Sequence, residues 1–248
     1  MDNGGAFTDR LFAQAHIPRG ATALDVGCGS GVVTFRLSQA VGDDGDVVGI
    51  DLNAKALDLA RQTADELGLT NTRFVDRDLM DLAQEGTRFD VITCRRVLMY
   101  LPDQAAAAKA FHTLLKPDGV LILQEHDATL QHSTSARPLA DQARDWIWKT
   151  VQAEGANPGT GFHLHHLLTE AGFDDIRLLA EAIVETPDQP APTADIVRAM
   201  LPRIEAAGIA TAKEIDIDTL DARLAAERAV ARSTSVSEMM FGALARRT

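Results

Sequence analysis

Cysteine is nearly absent from this chain, with two in 248 residues, Cys28 and Cys94. That count excludes a disulfide framework, and a reduced, cytoplasmic setting is expected. Long apolar runs are missing as well. No stretch reaches eighteen consecutive apolar residues, and the N-terminus has no basic region followed by an apolar one. Neither a membrane span nor a secretory leader is therefore expected. Positive charge is in deficit, 24 Lys and Arg against 36 Asp and Glu, for a net charge of -12. Such a chain would repel a phosphate backbone, so nucleic acid is a poor partner, and no membrane partner is expected. No internal repeat occurs, and the only low-complexity tract is the alanine run at 105–108. With 46% hydrophobic residues, the composition suits one soluble α/β domain with embellishments around a sizeable core.

What is present is organised around Leu24-Asp25-Val26-Gly27-Cys28-Gly29-Ser30-Gly31. An apolar approach runs into three glycines at alternate positions, and a helical pattern (Val32, Val33, Leu37, Val41) begins at once. That predicts a strand, a tight turn, and a helix whose first N–H groups point into the turn. Before it, Phe7, Leu11, Phe12 and Ala15 predict an amphipathic helix within the first seventeen residues. After it, strands are expected at 47–51, 72–76, 89–94 and 120–125. Helices fall between them, with Asn53 and Asp103 as N-caps and Lys116-Pro117-Asp118-Gly119 as a turn. Five strands alternating with helices imply a parallel, doubly wound sheet. Beyond it come helices at 137–154 and 161–171, a sixth strand at 176–184, and a boundary marked by Pro187, Pro190 and Pro192. Helices near 194–207 and 217–231 precede a last strand at 235–246, expected to pair with the sixth.

A dinucleotide fingerprint would place its third glycine at position 32, where this chain has Val32. No lysine of the P-loop kind follows the glycines, which disfavours a triphosphate. Asp51 closes the second strand, where a carboxylate accepts hydrogen bonds from a ribose diol. Asp78 follows the third, where it could meet an adenine amino group, and Asp25 lies beneath the turn. Together they point to a nucleoside with a positive tail.

The chain resembles the class I S-adenosylmethionine-dependent methyltransferases of the small-molecule type. Leu24 to Gly31 is similar to that family's first motif, and Gly49-Ile50-Asp51-Leu52-Asn53 to its ribose-binding second motif. Asp76-Arg77-Asp78-Leu79 resembles the segment flanking the adenine. Phe89 to Cys94 with Arg96 to Asp103 resembles the fourth motif, and Leu114 to Leu121 the post-catalytic one, with Asp118 where glycine is commoner. The matches cover residues 20–127 in the family's order. The resemblance implies a Rossmann-like, doubly wound, seven-stranded sheet with its last strand antiparallel beside the fifth. It also implies a helical insertion between strands six and seven. The expected plan is a single methyltransferase domain over 1–248: a cofactor core at 20–127, a helical substrate-side segment at 128–172, and a lid at 187–233. That insertion could equally cover a neighbouring subunit in a homodimer.

S-adenosyl-L-methionine is the cofactor implied, held by Asp25, Gly27, Cys28, Gly29, Gly31, Asp51, Leu52, Asp78, Leu79 and Arg95. The expected activity is methyl transfer to an O, N or C nucleophile of a small, apolar or aromatic molecule. Two alternatives stand beside it, a cofactor-binding regulatory module and an enzyme of this fold using the cofactor for other work such as cyclisation. In-line displacement needs alignment above all, and a general base only where the acceptor carries a proton. His126, directly after strand five, is the candidate base, with Glu125 and Asp127 beside it as groups that could orient an amine. Tyr100, Trp148 and His163 are candidate walls of the acceptor pocket. His163, His165 and His166 have metal-like spacing, yet nothing nearby completes a closed site and no metal is expected.

Overall fold

The computed structural model describes residues 4–248. Positions 1–3 of the expected N-terminal helix lie outside the described residues. The chain forms two compact units. The first comprises Met1–Glu125, Thr160–Ala180 and Met240–Thr248, and the second His126–Gly159 and Glu181–Met239.

In the first unit, α1 (Gly5–Ala15) buries Phe7, Thr8, Leu11 and Ala15. Then β1 (Thr22–Val26), α2 (Val32–Val41), β2 (Asp46–Asp51), α3 (Ala54–Glu66), β3 (Thr72–Asp76), α4 (Leu79–Leu82), β4 (Phe89–Arg95), α5 (Gln104–Leu114) and β5 (Leu115–Asp127) alternate. Asn53 and Asp103 cap α3 and α5 as expected, accepting from the N–H of Ala56 (3.2 Å) and Ala106 (2.8 Å).

Strands β1 to β5 are parallel, and the sheet runs β3-β2-β1-β4-β5-β8, where β8 (Ser235–Arg246) is the antiparallel last strand. Register sets Asp25 between Gly49 and Thr93, and Val26 between Ile50 and Cys94. Strand order reverses between β1 and β4, which makes the carboxyl ends of those strands the crevice of the sheet. All seven expected strands are present, β7 (Asp174–Glu185) pairing with β8. An eighth, β6 (His132–Ser133), sets His132 opposite Val236. Two residues carry no periodicity, so this strand had no sequence signal.

One local expectation changes. Lys116 to Gly119 is no separate turn but part of β5, where a register irregularity lies between Phe89 and Val91. Asp118 there has φ +62° and donates its N–H to Arg247 O (2.7 Å), so pairing with the chain's end absorbs the irregularity. A left-handed backbone favours glycine, and aspartate is among the side chains that tolerate it. The helix expected near 217–231 is present and begins at Leu220, and a further turn that was not expected stands before it. The single turn α9 (Ala212–Ile215), closed by a Thr211/Glu214 capping box, precedes α10 (Leu220–Ala231).

The second unit is helical. Helix α6 (Pro138–Ala153) packs against α8 (Thr193–Ala206) and α10. Ala143, Trp146, Val197, Ile204, Leu220 and Leu224 are buried. Both oxygens of Glu227 accept from the first turn of α6, at Leu139 N (2.7 Å) and Ala140 N (2.9 Å). Buried Arg144 donates to both oxygens of Glu185 through Nη2, at 2.7 and 2.8 Å. Helix α7 (Thr160–Glu170) belongs to the first unit and packs on α5, so the expected segment 128–172 divides between the units. The segment 187–233 lies wholly in the second.

Candidate functional site

The glycine turn leaves β1 at the crevice, and the site is built from it outward. Gly27 has φ +66°, and a Cβ there would fall 2.1 Å from Val97 Cγ2, so only glycine lets the segment after β4 come this close. Gly31 begins α2 with no side-chain cap. Gly29 donates its N–H to Asp51 Oδ2 (2.8 Å), and Asn53 N donates to Oδ1 (2.8 Å). The carboxylate is thus oriented by backbone, with one further lone pair on each oxygen for a ligand.

Beneath the turn, Asp25 is 1% exposed. Thr34 Oγ1 donates to its Oδ2 (2.7 Å) and Thr93 Oγ1 to its Oδ1 (2.9 Å), tying β1 to α2 and β4. Burial pushes the carboxyl up to about 6 against the pull of these hydroxyls and Arg95. Neither threonine was singled out from sequence. Thr93 becomes visible only once register sets it opposite Asp25.

A cleft opens at the ends of β1, β2 and β4. Gly27, Asp51, Leu52, Asp78 and Leu79 line it, five of the ten residues expected to hold the cofactor. Arg77, Arg96, Val97 and Leu101 complete its walls. Tyr100, expected against the acceptor, lines this same cleft. Asp78 also caps α4, accepting from Met80 N through Oδ1 (2.7 Å). The other expected residues sit differently. Cys28 packs its side chain with Leu57, Ala60, Ala64 and Phe74, so it offers a ligand only backbone. Arg95 does not line the cleft and instead donates to Thr8 Oγ1 on α1 (3.4 Å). Its neighbour Arg96, at φ +59°, turns the chain out of β4 and takes the place at the cleft.

Glu125 anchors the segment from which Val97 lines the cleft. It is fully buried, and its Oε1 accepts from the N–H groups of Val97 (3.0 Å) and Leu98 (2.8 Å), which fixes the 3-10 turn Leu98–Tyr100. Burial pushes its carboxyl up to about 8 despite those two donors, so it is mostly protonated at neutral pH. Burial likewise raises both thiols, Cys28 and Cys94, which removes them as nucleophiles at neutral pH.

His126 and Trp148 belong to the second unit. His126 is 7% exposed, with Nδ1 2.7 Å from Glu238 Oε2. Trp148 is half-buried on α6, with Trp146 as the buried one of the pair. His163, His165 and His166 are exposed on α7. Asp127 is spent locally, accepting from Thr129 N (2.9 Å) and Thr129 Oγ1 (2.5 Å). Glu238 gave no signal in sequence beyond one acid in a strand of small and apolar residues.

Carboxylates at the ends of β2 and β3, apolar walls from Leu79, Val97 and Leu101, and an uncapped helix start suit a nucleoside with a charged tail. A family model described as a methyltransferase domain matches residues 17–172, more than half the chain. A ubiquinone biosynthesis O-methyltransferase of Haemophilus ducreyi is 40% identical over 116 residues, 45% of this chain and 48% of that one. A demethylmenaquinone methyltransferase of Staphylococcus epidermidis is 36% identical over 141 residues, 57% of this chain and 55% of its own. The chain thus spans about half the length of these relatives. Among solved structures, a phosphoethanolamine N-methyltransferase of Haemonchus contortus in complex with S-adenosyl-L-methionine superposes with a TM-score of 0.61. It is 16% identical and covers 98% of this chain and 53% of its own.

Proposed function

We infer the activity from one premise: the chain belongs to the methyltransferase-domain family. The reading is methyl transfer from S-adenosyl-L-methionine to a nucleophile of a small molecule. The observation that carries it is the cleft at the switch point, where Gly27, Asp51, Asp78 and Leu79 come together.

Asp51 would hold the ribose hydroxyls with its remaining lone pairs, and Asp78 the adenine amino group. Leu79, Val97 and Leu101 would flank the ring and keep water from it. The first turn of α2 would face the carboxylate of the tail. When bound, the cofactor supplies a methyl group activated by a sulfonium. Where the acceptor carries a proton a general base is needed, the role for which the sequence brings His126 forward. Names of the two relatives bring a quinone-class molecule forward as the acceptor, with oxygen as the atom in one of them. They favour transfer over a purely regulatory or cyclising role. Two buried, unbridged cysteines accord with a reducing, cytoplasmic setting. Among the described residues no helix is long and apolar enough to cross a membrane.

The test is product detection by mass spectrometry on a panel of phenols, quinone precursors, amines and acids. The reading expects a product heavier by one methylene with at least one acceptor. Cofactor binding with no product from any class would contradict it.

A further inference from the structure

Among the described residues, four charged side chains line the cleft beside the glycine turn, all within the first unit: Asp51, Arg77, Asp78 and Arg96. Three of them are already engaged. Asp51 accepts from the N–H groups of Gly29 and Asn53, Asp78 accepts from Met80 N, and Arg77 pairs with Glu85. Arg96 differs. Its side chain is exposed, and its guanidinium has neither a hydrogen bond nor an ion pair among the described residues. The carboxyl that feels its charge is that of Glu125, which burial pushes up to about 8 and keeps mostly protonated at neutral pH. In a chain with 36 acids against 24 Lys and Arg, a cation is thus left uncompensated at the cleft.

The backbone at this residue is held against its preference. Arg96 has φ +59°, in the left-handed region that a residue with a Cβ enters at a cost. Glycine would make the same turn without that cost. Two bonds fix the conformation: Arg96 N donates to Gln124 O (2.8 Å), and Val97 N donates to Glu125 Oε1 (3.0 Å). Such strain persists where the surroundings over-determine it, and it collects at ligand clamps. What it secures here is the guanidinium's place at the cleft, on the wall that Tyr100 and Leu101 also form.

We propose that Arg96 is the receptor for a carboxylate on the methyl acceptor, which makes the substrate a small organic acid. The proposal rests on the methyl-transfer reading. A guanidinium presents two parallel N–H donors to the two oxygens of a carboxylate, a match of geometry as well as charge. In that reading the cofactor's own groups have other partners: Asp51 for the ribose, Asp78 for the adenine amino group, and the first turn of α2 for the tail carboxylate. The acceptor is the remaining source of an anion. Tyr100 and Leu101 offer its body a largely apolar surface. Among quinone-class molecules, this site selects one that carries a carboxylate, because a neutral acceptor leaves Arg96 unmatched.

The experiment is calorimetric titration of the full chain, loaded with S-adenosylhomocysteine, the demethylated cofactor. The probes are benzoate and benzamide, its uncharged isostere. The native protein is expected to bind benzoate about 10- to 100-fold more tightly, the range for a hydrogen-bonded charge. Arg96→Gln is expected to close that gap, with S-adenosylhomocysteine affinity affected far less. Arg96→Gly also releases the strained backbone. It is expected to lose the preference while its melting temperature equals or exceeds the native one. Equal binding of the two probes, no binding of either, or a preference that survives Arg96→Gln overturns the proposal. A lower melting temperature for Arg96→Gly overturns it too, by marking the side chain as structural. So does an Arg96→Gln protein that loses as much affinity for S-adenosylhomocysteine as for benzoate, which would assign the guanidinium to the cofactor's carboxylate. A native chain that fails to bind S-adenosylhomocysteine sinks the methyl-transfer reading itself. Intact cofactor binding without the preference sinks this inference alone.

Discussion

Glu125 joins burial to the shape of the cleft within a single side chain. Its carboxyl rises from the ordinary 4.5 to about 8, chiefly through burial, while its Oε1 anchors Val97 and Leu98. In the unfolded chain the same group ionises near 4.5. Between those two values the folded state binds more protons than the unfolded one, so stability falls as pH rises. Asp25 adds the same sign between its ordinary 3.8 and about 6. The expected outcome is a melting temperature that declines from pH 5 to pH 8. Glu125→Gln removes the larger part of that slope while keeping an oxygen for Val97 and Leu98. Thermal denaturation across this range checks it, and equal slopes in both proteins would refute the assignment.

Among the elements, α6 shows how a distant residue sets a helix. Its N-terminal residue Arg137 provides no side-chain cap, and Glu227 from α10 supplies two acceptors instead. A carboxylate at a helix start gains from both the hydrogen bonds and the dipole. Glu227→Ala should destabilise the protein by about 1–2 kcal/mol, read by denaturant titration. A change under a few tenths would show that water replaces the carboxylate at little cost. Such long-range capping leaves no mark in sequence, because 88 residues separate Leu139 from Glu227. Local signals fared better. Asn53 and Asp103 were legible as caps, and a last strand was expected at 235–246, the bounds of β8. Lys116-Pro117-Asp118-Gly119 misled because turn residues also build irregular strand, and the pairing that decides comes from Arg247 at the chain's end.

At the level of the whole molecule, the first unit was legible because its motifs recur in order over 20–127 and each answers a local physical need. The glycine turn, the acids after β2 and β3, and the switch point all follow from sequence once strand order is assumed. What sequence could not supply was the partner of each polar group: Thr34 and Thr93 on Asp25, Glu238 on His126, and Arg96 in place of Arg95 at the cleft. Those depend on register and on the exit angle of β4, which no spacing rule encodes. The central claim is that the cleft beside the glycine turn holds S-adenosyl-L-methionine. Calorimetric titration of the full chain with that cofactor tests it most directly, run beside Asp51→Ala. The account predicts saturable binding that weakens by about 1–3 kcal/mol, roughly 5- to 150-fold in Kd, when Asp51 is removed. Absent binding, or an affinity that Asp51→Ala leaves unchanged, would contradict it.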